Sequence, residues 1–145
     1  MVIGIIGENC TGKSTLAEEI RNITGAEIIT GKDYLRLAKS ENEAKALFKA
    51  KLQDAETGAH IIYVISEKEQ AELLPQYAVR ILVTADLAVI KERFRQRMHG
   101  NLPPPVEQML ERKHGIFDGV ECNIHFDSTH DNINDVIDKI SDMLL

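Results

Sequence analysis

The chain has 145 residues, 43% of them hydrophobic and 28% charged, with a formal net charge of -6. That length suits one domain with a buried core, and the balance is that of an ordinary globular chain rather than a disordered one. The acidic excess argues against a generic nucleic-acid binder, and no apolar run approaches the roughly 20 residues that a membrane span needs.

The start shows neither the basic region nor the small-residue cleavage site of a secretory leader. Two cysteines, Cys10 and Cys122, give no disulfide framework and no metal-ligand spacing, so a reducing cytoplasm is the expected setting. Histidines 60, 99, 114, 125 and 130 form no ligand spacing on one helix face and are assigned no metal.

VIGII (2–6) is a short continuous apolar run, expected as a strand covered on both faces. KSTLAEEIRNI follows as a helix, with Leu16, Ala17, Ile20 and Ile23 at helical spacing and Gly25 as its stop. EIIT (27–30) is a second strand. DYLRLAKSENEAKALFKAKLQDAE is one long helix or two, with Leu37, Ala44, Leu47, Phe48 and Leu52 inward. HIIYVI (60–65) is a third strand, EKEQAELL a short helix closed by Pro75, and VRILVT (79–84) a fourth strand. ADLAVIKERFRQRM continues as a helix up to HGNLPPP, the clearest breaker in the chain. VEQMLERKHGIF resumes helical spacing, NIHFD (123–127) is a fifth strand, and NINDVIDKISDMLL is an amphipathic tail.

Strands and helices therefore alternate from end to end. That pattern implies right-handed crossovers and a mostly parallel sheet with helices on both faces. The basic residues are not even: KERFRQRMH (91–99) holds four of the 17 Lys and Arg, which suits a small anionic ligand or a solvated helix face.

GENCTGKS, Gly7 to Ser14, fits G-x-x-x-x-G-K-[ST] at every fixed position, with a strand before it and a helix after. Gly7 and Gly12 permit the curvature. Successive N–H groups then point into one concavity at a helix N-terminus, where the dipole favours an anion. Lys13 is expected at the β- and γ-phosphates, Ser14 on Mg²⁺ and Thr15 at the α-phosphate. Glu8, Asn9, Cys10 and Thr11 fill the variable positions of the cradle, Cys10 as a filler rather than a redox group. A GTPase would show an Asn-Lys-x-Asp guanine reader, which this chain lacks, and a remodelling ATPase needs more chain. A small kinase using ATP and Mg²⁺ is favoured.

IITGKDYLR, after the second strand, resembles the adenylate kinase and nucleoside monophosphate kinase group, where a Thr-Gly and a following Arg open the acceptor-phosphate site. The resemblance implies that Thr30, Gly31 and Arg36 face the acceptor. One more residue stands between Gly and Arg here than in the usual pattern. Asp33 is similar instead to the acidic residue that shikimate kinase places after its second strand, where it helps hold the hydroxyl substrate or the magnesium ion; its other role is to cap the following long helix.

KERFRQRM with PPPVEQMLERKHG resembles the arginine-bearing lid of these kinases. By that resemblance Arg93 packs near the adenine, Arg97 clamps phosphate, and Arg112 reaches the transferring group, with surface charge as the alternative for Arg97 and Arg112. Arg95 falls on another face. Such roles fit phosphoryl transfer, which is positioning plus charge stabilisation. The chain departs from the group after its third strand. YVISEKEQ lacks the usual Asp-Gly and Phe-Pro-Arg, which weakens monophosphate recognition and passes the water-mediated Mg²⁺ role to Ser66 or Glu67. There is no cysteine quartet for zinc in the lid.

The expectation is one domain over 1–145 with the three-layer α/β P-loop NTPase fold. It has a five-stranded parallel sheet, helices on both faces, a short lid at about 93–112 and an acceptor-site helical segment at about 30–58. The expected activity is transfer of the γ-phosphoryl group of ATP·Mg²⁺ to a nucleotide or nucleoside. The alternatives are a metabolite kinase of the shikimate or gluconate kind, or a nucleotide-binding regulator or ATPase. The expected partners are ATP and a small acceptor, with no membrane and no nucleic acid polymer, in a monomer or homodimer.

Overall fold

The computed structural model describes residues 1–144. Its five strands are β1 (Val2–Ile6), β2 (Glu27–Thr30), β3 (Ile61–Ile65), β4 (Val79–Thr84) and β5 (Ile124–Asp127). They stand in the order β2-β3-β1-β4-β5, and every pairing is parallel. Parallel neighbours need long crossovers. These carry α1 (Lys13–Thr24), α2 (Glu41–Asp54), α3 (Lys68–Ala71), α4 (Leu87–Arg97) and α5 (Pro104–Lys113), and α6 (Ile133–Leu144) follows the last strand. This is the three-layer α/β architecture that the alternation predicts.

The strand pattern sets the two faces. Val2, Ile6, Ile61, Tyr63 and Ile65 face a core built with Phe48 and Leu52 of α2, Leu74 and Phe117. Ile3, Ile5, Ile62 and Val64 face the other side, against Leu16 and Ile20 of α1 and Val136 and Ile140 of α6. Both faces being covered explains why β1 and β3 read as unbroken apolar runs. A third, smaller cluster joins Cys10, Ala85, Ile90 and Leu110, so α4 and α5 pack on the loop that follows β1.

The segment after β2 resolves into two pieces. Asp33–Leu37 forms a short 3₁₀ helix, and α2 starts afresh behind Ser40, whose Oγ accepts the Glu43 N–H at 3.2 Å. Asp33 therefore does not cap the long helix. Only one stripe of α2 is buried: Ala44, Phe48 and Leu52, each four residues apart. Leu47 lies beside that stripe and is 51% exposed, and Leu37, in the separate turn, is 41% exposed. Neither is inward as expected. Ile23, on the last turn of α1, is also exposed. No helix among the described residues is long and apolar enough to cross a membrane. Leu145, the end of the amphipathic tail, lies outside the described residues.

The topology has one functional consequence. β1 is central, with β3 on one side and β4 on the other, so the chain reverses its direction of growth there. Open parallel sheets bind ligands beyond the carboxyl ends of strands at such a reversal. Residues 7–14 leave β1 at that point.

Candidate active site

The loop from Gly7 to Ser14 wraps the carboxyl end of β1. The Gly7 N–H donates to the Ile65 carbonyl at 3.1 Å. A Cβ at Gly7 would lie 2.5 Å from the Val83 carbonyl oxygen, so no side chain fits there. Gly12 has φ 106°, a conformation that favours glycine, and it stands directly before α1. Among the described residues no side chain caps α1. Its first N–H groups are therefore left for an anion.

Lys13 is 6% exposed. Its Nζ donates to the carbonyls of Gly7 at 2.7 Å and Glu8 at 2.6 Å, curling back over the loop. Its pKa is lowered to about 8, chiefly by burial; Cys10 opposes the shift, the Arg97 guanidinium adds to it, and Glu8 opposes it. Arg97 thus stands close to Lys13. Ser14 and Thr15 are exposed in the first turn of α1, with their hydroxyls available, and Asn9 is exposed at the loop's crest. Thr11 is fully buried, and its Oγ1 donates to the Glu8 carbonyl at 2.8 Å.

A cavity of about 840 Å³ lies beside this loop, lined by Cys10, Gly12, Thr15, Arg93, Arg97 and Phe126 among others. Arg93 Nη1 donates to the Cys10 carbonyl at 3.1 Å and to Ser128 Oγ at 2.9 Å. Ser128 Oγ in turn donates to the Thr11 carbonyl. Arg93 and Ser128 therefore staple α4 and the segment after β5 to the loop. That segment is stiffened by its own bonds: Asp127 accepts the Thr129 N–H at 2.9 Å, and Asp131 accepts the Asp127 N–H at 2.9 Å. The hydrogen bond from His130 Nδ1, at 2.8 Å, lowers the Asp127 pKa and raises that of His130. His130, Asp127 and Asp86 bring three ligand-type atoms within 4.8 Å of one another, a grouping invisible to helix-face spacing. Asp86 and His130 are exposed, and the His130–Asp127 bond belongs to the turn.

The lid helices reach the loop in an unforeseen way. Glu8 is nearly buried, and its carboxylate accepts the Gly115 N–H at 3.0 Å and pairs with His114 Nδ1 at 3.1 Å. Lys113 pairs with Glu67 at 3.4 Å. The residues that close on the site from the end of α5 are therefore 113 to 115. Arg112 is exposed on α5, away from the linings of the two larger cavities. Arg95 pairs with Glu92 at 2.6 Å, away from the loop. No sequence signal marks the Glu8 contact with His114 and Gly115, since Glu8 fills a free position of the motif.

On the β2 side, the Gly31 carbonyl accepts the Tyr63 hydroxyl at 2.6 Å. Asp33 Oδ2 accepts the Thr30 N–H at 3.3 Å. Asp33 and Arg36 line a cavity of about 210 Å³ with Glu27, Leu37 and Lys51. A larger cavity of about 610 Å³ opens between α2 and α3, lined by Lys32, Glu67 and Gln70 among others. Ser66 and Glu67, at the end of β3, give their N–H groups to Gln70 Oε1 at 3.1 and 3.2 Å. Thr30, Gly31, Asp33 and Arg36 are thus neighbours, but Asp33 and Arg36 line a different cavity from Glu67.

The lowered pKa of Lys13 predicts a pH effect on anion binding. Above about 8 the free protein loses the Lys13 proton, which a bound triphosphate would restore. Affinity for a non-hydrolysable ATP analogue is expected to fall about tenfold per pH unit above that point. Folding stability moves the other way. Between about 8 and the ordinary 10.5, the unfolded chain binds the proton and the folded one does not, so this lysine's contribution improves as pH rises. Calorimetric titration from pH 7 to 10 checks the first effect, and a flat profile would contradict it.

No family model and no curated protein matches the sequence. Solved structures do. A sugar kinase from Janibacter sp. is 18% identical, with a TM-score of 0.66 over 99% of this chain and 93% of that one. A shikimate kinase from Acinetobacter baumannii, in complex with shikimate, is 14% identical, with a TM-score of 0.64 over 99% of this chain and 92% of that one. Deoxyadenosine kinase from M. mycoides, with bound dATP, is 16% identical, with a TM-score of 0.58 over 99% of both chains. With its parallel sheet and the glycine-lysine loop at the central strand, this chain has the fold of the small P-loop kinases.

Proposed function

We propose that the protein is a phosphotransferase that moves the γ-phosphoryl group of ATP to a small acceptor. One observation carries this most: a cavity of about 840 Å³, lined by Gly12, Thr15 and Arg97, opens at the N-terminus of α1, beside the loop against which the Lys13 ammonium is buried. Two cations and a row of free N–H groups suit a triphosphate. The kinase fold of the neighbours supports the same reading.

In this reading the loop N–H groups from Cys10 to Thr15 and the Lys13 ammonium hold the triphosphate. Arg93 and the segment around Ser128 border the adenine. The Ser14 hydroxyl, exposed one residue after Lys13, would serve as a Mg²⁺ ligand, and Ser66 or Glu67, following β3, would hold a metal-bound water. A bound Mg²⁺ neutralises charge on the β- and γ-phosphates. The acceptor's hydroxyl oxygen, or a phosphate oxygen where the acceptor is a nucleotide, bonds to the γ-phosphorus as the bond to the β-phosphate oxygen breaks. ADP leaves with that electron pair, and the hydroxyl proton goes to solvent. Arg97, with Arg112 after lid movement, spreads the charge developing on the equatorial oxygens. Closure of the segment at about 93–112 excludes water as a competing acceptor.

The adenylate kinase likeness makes a nucleotide or nucleoside the first acceptor class, and a hydroxylated metabolite of the shikimate or gluconate kind the second. Use of ATP goes with a cytoplasmic setting. ADP release, measured with a panel of nucleoside monophosphates, nucleosides and hydroxy acids, is expected to rise at least tenfold with a true acceptor. Release that stays constant across the panel would favour a nucleotide-binding regulator or weak ATPase.

A further inference from the structure

The cavity of about 610 Å³ between α2 and α3 has walls of opposite charge. Lys32, Lys45 and Lys49 line it from the 3₁₀ turn and α2, with Glu41 of α2 beside them, and Glu67, Glu69 and Glu72 line it from the α3 side. Lys45 is paired with Glu41 at 3.3 Å and Glu67 with Lys113 at 3.4 Å. Among the described residues, Lys32, Lys49, Glu69 and Glu72 have no ion-pair partner, and no ion pair spans the cavity. Two separated surfaces of opposite sign therefore face one space.

Gln70 adds a directional group. It is 7% exposed and lines the same cavity. Its Oε1 accepts the N–H groups of Ser66 and Glu67. Two backbone donors decide which way the amide points, because only its oxygen can accept them. The Nε2 is left on the Gly31 side, where a Cβ would lie 3.5 Å from it. Among the described residues Nε2 donates to nothing. The residue is buried, but Nε2 itself keeps contact with solvent, since among the described residues the one fully buried side-chain polar atom without a partner is His60 Nδ1; Nε2 is a free donor from which water or a ligand can accept. The cavity is connected to the donor side: Glu67 follows β3, whose Ile65 carbonyl accepts the Gly7 N–H, and Glu67 pairs with Lys113 at the end of α5.

We propose that this cavity is the acceptor site and that it selects a zwitterionic acceptor, a small hydroxyl compound carrying a carboxylate and an ammonium group. The proposal rests on the phosphotransferase reading and takes its second acceptor class, a hydroxylated metabolite, over the nucleotide or nucleoside. The carboxylate meets Lys32 and Lys49, the ammonium meets Glu69 and Glu72, and Gln70 Nε2 donates to an acceptor oxygen. A singly charged acceptor gains at one wall and is repelled at the other, and a neutral one leaves both walls uncompensated. The lining's one aromatic residue, Tyr34, is buried and stacked on Phe48, which commits it to the core rather than to a nucleobase.

A matched series separates the outcomes. Glucose, gluconate, glucosamine and glucosaminate share a carbon skeleton and are neutral, anionic, cationic and zwitterionic. Homoserine adds a smaller zwitterion, and adenosine and AMP represent nucleosides and nucleotides. With ATP·Mg²⁺, the more active of glucosaminate and homoserine is expected to give kcat/KM at least about tenfold above every other member, as a lost charge-assisted contact predicts. Lys49→Gln and Glu72→Gln should each raise KM for that zwitterion about tenfold while KM for ATP changes by less than about twofold. Gln70→Glu keeps an oxygen for the Ser66 and Glu67 N–H groups but removes the donor, and it should raise the same KM more than tenfold.

Equal or better use of a neutral, singly charged or nucleoside member overturns the zwitterion assignment and leaves the kinase reading standing. So does an unchanged acceptor KM in both wall variants. No ADP release above background with any member, while the protein still binds the ATP analogue, overturns the kinase reading itself.

Discussion

Lys13→Ala is expected to lower kcat for phosphoryl transfer by about 100- to 1,000-fold, the range for removing one donor that stabilises transition-state charge. The reason is specific to this lysine. Its ammonium is buried, and Nζ already rests on the carbonyls of Gly7 and Glu8, at the mouth of the triphosphate cradle. It is therefore positioned before any ligand arrives, and its charge acts through little water. Affinity for the ATP analogue should fall as well, because the same contact exists in the ground state. Thermal unfolding of the variant separates a lost contact from a lost fold. Lys13→Arg should not rescue, since a planar fork cannot follow the path of a single ammonium through the loop. Retention of both turnover and affinity in Lys13→Ala would remove the phosphate-loop assignment.

Arg97→Ala is expected to cost about 1,000-fold in kcat, with KM for ATP changed less than about threefold. Arg97 is exposed at the end of α4, lines the 840 Å³ cavity and lies close enough to Lys13 to lower its pKa. In the proposed reaction an arginine there would meet charge that grows on the transferring group, which separates it from Arg93. Arg93 is bound to Cys10 and Ser128 and holds the cavity's shape. Single-turnover kinetics measure the chemical step directly. Equal losses in kcat and in ATP affinity would move Arg97 from charge stabilisation to ground-state binding.

Much of this was legible in the chain. Unbroken apolar runs marked β1 and β3, because central strands of a parallel sheet are buried on both faces and show no polar alternation, while the edge strands β2 and β5 keep only two apolar residues each among polar ones. The phosphate loop was legible because its geometry needs particular residues at set positions: glycine where a Cβ would strike Val83, glycine at φ 106°, then lysine and serine at the start of a helix. Helical spacing erred at Leu37 and Leu47. It cannot foresee that the chain breaks at Ser40, nor which flank of a stripe the sheet covers.

By itself, then, the sequence determined the alternation of strands and helices, the three-layer parallel architecture and the glycine-lysine loop after the first strand. Those depend on local residue chemistry and on short-range periodicity. Tertiary structure alone decided which side chains meet across the site. Glu8 finds His114 and Gly115, more than 100 residues away, and Ser128 reaches Thr11. Lys49 and Glu72 come to line one cavity, while Asp33 and Arg36 line another. Such meetings follow from strand order and helix packing, which bring distant segments together without leaving any spacing in the chain that records it.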